Sequence, residues 1–322
     1  MKEYFIGVDL GGTKILTAVS DSKGNIIEKV KVATEALKGQ EQVINNIVRS
    51  IEEVLKKSNI DKKEIIRMGL GTPGPLNINE GLVYEAPNLN WKNVAIVDIL
   101  KEKTGIDINL ENDANAAALG EKWFGAGRNV DNMIYMTVST GIGGGIIIDK
   151  KILHGVSDTA GEIGHFVIQT DGPICGCGNH GCFEAVASGT AVNRIGMYLA
   201  AMHPDSLLYS LVDGDITKID GKVISEAAIK GDKYALQIWD DEARYLGIGI
   251  ANLINIFNTG TIVLGGGVMN SWDLIIDKMT ETIKDYAFES AYTKVDIKKS
   301  SLGDEVGVQG AIAVAMGDRL LS

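Results

Sequence analysis

One short design occurs twice in this chain and restricts what it can fold into. Tyr4 to Leu10 is a buried-strand run, broken by Gly11-Gly12 and resumed as a strand from Ile15 to Ser20. Asn132 to Ser139 is again a strand, Thr140-Gly141-Ile142-Gly143-Gly144-Gly145 a glycine turn, and Gly145 to Ile148 the next strand. A glycine-rich reversal between apolar strands makes a hairpin with a bare backbone, because no Cβ shields its amides. Two such hairpins point to an internal duplication of an α/β half, each half presenting one.

The residues between them fit that scheme. Lys23-Gly24-Asn25 turns the chain into a third strand, Ile26 to Val32. Apolar residues at 43, 44, 47, 48, 51, 54 and 55 predict an amphipathic helix from Gln42 to Leu55. Ile65 to Leu70 and Ile106 to Leu110 are strands, and Ala114 to Trp123 is a helix. Apolar residues at 243, 246, 250, 253, 254 and 257 predict a long buried helix from Glu242 to Phe257. A strand from Thr261 to Leu264, the turn Gly265-Gly266-Gly267 and a C-terminal helix from Val308 to Met316 follow. A length of 322 residues suggests about two domains. No low-complexity linker divides them. We expect a small domain over 1–120 and a large one over 121–304, with a helix at about 305–322 packing back on the small one.

Charge and cysteine usage exclude several classes. Thirty-one Lys and Arg against 42 Asp and Glu give a net charge of −11, which argues against nucleic-acid and anionic-membrane partners. No apolar run approaches the roughly 18 residues of a membrane span. The first residues enter a strand without a signal peptide, so a cytoplasmic protein is expected. The three cysteines, Cys175, Cys177 and Cys182, lie close together. An odd count in a reducing compartment speaks for a metal rather than disulfides.

Five motifs are able to carry chemistry. In Asp9-Leu10-Gly11-Gly12-Thr13-Lys14 the glycines let backbone N–H groups and the Thr13 hydroxyl face phosphate oxygens. Asp9 offers Mg²⁺ an oxygen ligand, and Lys14 adds positive charge. A plain hairpin turn is the competing explanation. Thr140-Gly141 would form the opposite lip of the same cradle, and Gly265-Gly266-Gly267 either a surface for an adenosine or a strand-to-helix turn. In Glu111-Asn112-Asp113, Asp113 is either a helix N-cap or a general base at a strand end, with Asn112 hydrogen-bonding a substrate. The fifth run is Glu162-Ile163-Gly164-His165 followed by Cys175-Gly176-Cys177-Gly178-Asn179-His180-Gly181-Cys182-Phe183-Glu184. Three cysteines and a histidine suit a tetrahedral Zn²⁺ site. Spacing leaves open whether His165 or His180 completes it. His154 and His203 have no comparable context and are expected to be ordinary polar side chains.

These motifs, with Gly69-Leu70-Gly71-Thr72-Pro73-Gly74 and Pro87-Asn88-Leu89, resemble the ROK family (repressor, open reading frame, kinase) in order over essentially the whole chain. Within it the chain is most similar to bacterial-type glucokinases. The resemblance implies the two-domain actin/hexokinase-like ATPase fold, an α/β fold with duplicated βββαβα-type halves, and a homo-oligomer (dimer or tetramer). It implies Asp113 as the base that deprotonates the sugar 6-hydroxyl, and Asn88, Asn112, Asp113, Glu162, His165 and Glu184 on the sugar hydroxyls. It implies structural Zn²⁺ on His165, Cys175, Cys177 and Cys182, with His165 in both roles. It places Asp9, Gly11, Gly12, Thr13, Lys14, Thr140 and Gly141 at the phosphates of ATP and Mg²⁺, and Gly265 and Gly266 near the nucleotide. The chain departs from many members at Asp158, where they carry glycine, in a loop that borders the sugar.

The expected activity is ATP-dependent phosphorylation of a hexose, glucose first. A kinase for N-acetylmannosamine or another hexose derivative is the alternative. A sugar-responsive repressor would place a DNA-binding domain ahead of the first phosphate motif, and here Asp9 is the ninth residue. A non-sugar ATPase of the same fold would need neither the cysteine loop nor Glu162 and Glu184.

Overall fold

The computed structural model describes residues 3–321. Met1, Lys2 and Ser322, at the ends of the expected small domain, lie outside the described residues. The chain forms two compact units, one of residues 1–135, 145–161 and 300–322, the other of residues 136–144 and 162–299. Residue 120 falls inside a helix of the first unit.

The first unit begins with β1 (Tyr4–Leu10), β2 (Lys14–Ser20), β3 (Ile26–Ala33), α1 (Gln40–Ser58) and β4 (Ile65–Thr72). The short strands β5 (Leu76–Asn77), β6 (Leu82–Ala86) and β7 (Trp91–Val94) follow, then α2 (Ile96–Thr104), β8 (Ile108–Asn112) and α3 (Asp113–Phe124). The main sheet has the order β3-β2-β1-β4-β8. β1 and β2 pair antiparallel, with Leu10 opposite Ile15, which places Gly11 to Thr13 at the reversal. β4 runs parallel to β1 and to β8. The carboxyl ends of three parallel strands therefore lie side by side, with Asp9 opposite Gly71 and Thr72 opposite Asn112. Helix α1 buries Val43, Ile44, Ile47, Ile51 and Val54, the stripe its periodicity predicted.

The last long helix, α11 (Val306–Met316), packs within this unit. Glycines inside β1 and α3 make room for it. A Cβ on Gly7 of β1 would lie 2.7 Å from the Val308 carbonyl oxygen, and one on Gly120 of α3 would lie 2.8 Å from the Gly310 nitrogen. A side chain at either position would push the helix off.

The second sheet has the order β11-β10-β9-β12-β13, built from β9 (Met133–Val138), β10 (Ile142–Ile148), β11 (Lys151–Ile152), β12 (Thr261–Gly265) and β13 (Asp296–Lys299). It repeats the order of the first sheet strand for strand, with its outer pair antiparallel at one edge and parallel at the other. The duplication expected from the two glycine hairpins is therefore present in the topology. Between β11 and β12 lie α4 (Phe183–Ala187), α5 (Gly189–Met202), α6 (Leu207–Ser210), α7 (Gly221–Ile229) and α8 (Lys233–Phe257); α9 (Trp272–Tyr286) and α10 (Glu289–Tyr292) precede β13. Helix α8 starts well before the expected Glu242, because Asp232 caps it by accepting from the Tyr234 and Ala235 amides. Among the described residues no helix is long and apolar enough to cross a membrane.

Candidate active site

In the first unit the functional side chains collect where the parallel strands end, the edge at which open α/β sheets bind ligands. Asp9 closes β1. Burial, and the neighbouring Asp113 charge, push its carboxyl up to about 6 against the pull of Lys14. The Gly11 amide bonds the Lys14 carbonyl at 3.0 Å, and Thr34 donates to the Gly11 carbonyl at 2.6 Å. The hairpin is thereby fixed from within. Asn88, in a 3-10 turn (Pro87–Leu89), packs on Gly12, where a Cβ would lie 3.0 Å from that of Asn88.

The helix-cap explanation for Asp113 is corrected. Asn112, extended at φ −63° and ψ 145°, is the N-cap and accepts from the Ala114 and Asn115 amides. Asp113 is the first helical residue. Its Oδ1 also accepts from Ala114 at 2.8 Å, but α3 is capped without it.

His154 is a polar side chain with a definite partner. Its Nε2 lies 2.8 Å from Oε2 of the buried Glu111, and that hydrogen bond holds the imidazole above its ordinary pKa. The other Glu111 oxygen accepts from the Asn112 amide and the Asn115 side chain, both at 3.0 Å. Glu111, assigned no role of its own from sequence, thus joins His154 to the Asn112–Asn115 turn. His203 stacks on Tyr234 with ring centroids 3.9 Å apart, as an ordinary polar histidine does.

In the second unit the hairpin between β9 and β10 is closed by the Ser139 amide bonding Gly141. Ile142 donates its amide to Glu184 Oε2 at 2.9 Å. A Cβ on Gly141 would collide with that carboxylate. A side chain at 141 would have to displace the Glu184 carboxylate from the Ile142 amide. The N-terminus of α5 abuts the same hairpin, with Gly189 donating to Ser139 and the Thr190 hydroxyl to the Thr140 carbonyl, both at 2.7 Å. Helix N-termini favour anions through their free amides and dipole.

Beside this hairpin lies a cavity of about 570 Å³, within the usual range for small-molecule sites. Thr140, Asn193, Asp220, Lys222, Trp239 and Gly267 are among its lining residues. The Trp239 indole N–H is buried and has no partner. Gly267 faces the cavity, Gly265 ends β12, and Gly266, at φ 89°, crosses tightly over the Val138 backbone. Sequence reasoning found Thr140 and the glycines and missed the rest, which come from α5, from α7 with its N-cap Asp220, and from α8.

The cysteine loop is also in this unit. Two isolated bridges, Val167 with Cys182 and Ile174 with His180, fold it back on itself, and Phe166 stacks on Phe183 at 5.2 Å. The ligand atoms of His165, Cys175, Cys177 and Cys182 all lie within 4.8 Å of one another. Cys175 Sγ is 3.6 Å from His165 Nδ1, and Cys177 Sγ 3.6 Å from Cys182 Sγ. Ligands at about 2.3 Å from a tetrahedral zinc are about 3.8 Å apart, so the set fits the ion. His180 is directed elsewhere, to the Gly172 carbonyl at 3.4 Å. The His165 ring offers Nδ1 to the thiols and turns Nε2 toward Glu162, 4.0 Å away. One ring is thus able to hold a metal with one nitrogen and a second group with the other. Glu184 Oε1 lies 3.8 Å from Cys175 Sγ, linking the loop to the hairpin.

Residues 5–317 match the ROK family, and the chain belongs to it. The chain is 38% identical to the glucokinase of Thermotoga maritima over 97% of both chains. It is 34% identical to the xylose repressor of Caldicellulosiruptor bescii over 98% of this chain and 78% of that one. The crystal structure of a ROK family glucokinase from Streptomyces griseus in complex with glucose and AMPPNP superposes with a TM-score of 0.82, at 35% identity, covering 97% of this chain and 99% of that one. The fold is the actin/hexokinase-like ATPase fold.

Proposed function

We propose that the chain is an ATP-dependent hexose kinase that converts glucose to glucose 6-phosphate. The observation that carries this reading is the corner between β8 and α3. Asn112 caps the helix, and Asp113, its first residue, places a carboxylate beside Asp9 at the carboxyl edge of the sheet, where a proton acceptor for a sugar hydroxyl belongs. The glucokinase relatives support the substrate, and the complex with glucose and AMPPNP supports the pairing of sugar and nucleotide in this family.

In this reading Asp113 accepts the proton of the sugar 6-hydroxyl as the oxygen attacks the γ-phosphorus of ATP, and ADP leaves. Phosphoryl transfer asks the protein chiefly to position reactants and offset charge. Gly11, Gly12, Thr13, Lys14, Thr140 and Gly141 serve the phosphates. The 570 Å³ cavity takes the adenosine, where Asp220, Asn193 and the unpartnered Trp239 N–H offer hydrogen bonds. Asn88, Asn112, Glu162, His165 and Glu184 hold the sugar hydroxyls. Asp9, buried and close to Asp113, suits an Mg²⁺ ion, which supplies charge neutralisation at the phosphates. Zinc on His165, Cys175, Cys177 and Cys182 braces the segment that carries His165 and Glu184.

A coupled ADP-release assay over a panel of hexoses tests this. Glucose should exceed its epimers and N-acetylmannosamine in kcat/KM, because a site built on hydroxyl hydrogen bonds rejects ligands that leave them unpaired. A better rate with N-acetylmannosamine replaces the substrate and keeps the base. No ATP turnover with any sugar, together with tight sugar binding, would favour the repressor alternative.

A further inference from the structure

The segment from Leu153 to Gly161 carries Asp158 near its centre. It leaves β11, closes on itself through the Ala160 amide and the His154 carbonyl at 3.0 Å, and leads directly into Glu162. Asp158 sits at φ 55°, in the left-handed region. Glycine enters that region freely, while an L-residue pays roughly 1–2 kcal/mol and aspartate is among the more tolerant. An unfavourable backbone position held by a side chain calls for a compensating contact, and the structure shows one. Asp158 Oδ2 accepts from the Ile78 amide at 3.1 Å. Ile78 directly follows β5, which pairs with β6, and β6 runs into the turn that presents Asn88. At its other end the segment is fastened by His154 to Glu111, whose second oxygen holds the Asn112 amide. Between the two anchors the tip is free of the body, with Val156 fully exposed.

We propose that Asp158 is a positioning residue for the sugar: its bond to Ile78 makes the 153–161 segment a clasp that fixes the Asn88 turn relative to the Asn112–Asp113 corner and so sets selectivity among hexoses. A glycine at 158 could not make this contact, so the clasp depends on this side chain. The inference rests on the kinase reading for its functional part. The contact itself does not depend on that reading.

Three variants separate the side-chain bond from the backbone. Asp158→Gly removes the acceptor and relieves the left-handed strain. Asp158→Asn keeps an acceptor oxygen. Asp158→Ala removes the acceptor and keeps the strain. Losing a bond worth about 1 kcal/mol corresponds to about fivefold. Asp158→Gly should therefore raise the glucose KM about fivefold, with kcat and the ATP KM within about twofold, and lower the preference for glucose over N-acetylmannosamine. Asp158→Asn should restore wild-type values, and Asp158→Ala should match the glycine variant in KM while melting at a lower temperature. Amide hydrogen exchange at Ile78 should quicken in the glycine and alanine variants and not in the asparagine variant. A glycine variant with wild-type KM and selectivity overturns the proposal, as does a parallel rise in the ATP KM. Should the wild type phosphorylate no hexose, the kinase reading fails. Unchanged Ile78 exchange in Asp158→Gly would then separately remove the clasp.

Discussion

Replacing Asp113 by asparagine isolates its proton-accepting role, because the structure assigns the neighbouring tasks to other groups. The N-cap bonds from Asn112 to the Ala114 and Asn115 amides are untouched. An amide oxygen at 113 still accepts from Ala114, as Oδ1 does now at 2.8 Å. The capping of α3 should therefore be unchanged. What disappears is the basic oxygen. Loss of a general base costs on the order of 10² to 10⁴ in rate, or about 2.7–5.4 kcal/mol of barrier. The coupled ADP-release assay should show kcat lowered by that factor. Glucose and ATP affinities by calorimetry should stay within about threefold, since uniform binding is kept. A kcat within about threefold of wild type, in a variant with unchanged melting temperature, would refute the assignment of Asp113 as base.

Three further outcomes follow from particular contacts. Cys177→Ser should lose the metal and raise the glucose KM sharply while the ATP KM holds, and elemental analysis of the wild type should find about one zinc per chain; a metal-free wild type of full activity would remove the zinc site. Glu242 is fully buried with one oxygen unpartnered, and burial raises its pKa well above the ordinary 4.5. The folded state then keeps a proton that the unfolded state releases. Stability is fullest below pH 4.5 and falls by up to about 1.4 kcal/mol per pH unit as pH rises toward the folded pKa. Glu242→Gln, a neutral isostere, should flatten that slope in urea midpoints measured from pH 4.5 to 7.5 and stabilise the protein at neutral pH; parallel slopes would contradict the buried neutral acid. Gly141→Ala should drive the new methyl into the Glu184 carboxylate, costing about 1–3 kcal/mol of stability and raising the KM for glucose, and unchanged melting and KM would show that the hairpin yields.

How much of this was legible depended on whether the geometry was local in sequence. The stripe of α1 and the paired glycine hairpins were visible because periodicity and turn chemistry act over a few residues. They were enough to foresee a duplication that the two sheet orders bear out. The small β5-β6-β7 sheet was not visible, since strands of two to five residues show no alternation to count. The same limit governs the site. Its runs at 9–14, 111–113, 140–141 and 162–184 are contiguous, whereas Asn193, the Asp220–Lys222 pair and Trp239 reach one cavity from three different helix regions and look ordinary in sequence. Glu111 and His154 stand 43 positions apart, so nothing short of the fold joins them. Even within a contiguous run the division of labour needed coordinates. Asn112 and Asp113 are both good capping residues by type, and the extended backbone at 112 decides between them. His165 and His180 are both within reach of the thiols by spacing. The bridge from Ile174 to His180 carries the second histidine to the Gly172 carbonyl, and the imidazole of His165 is the one left against Cys175.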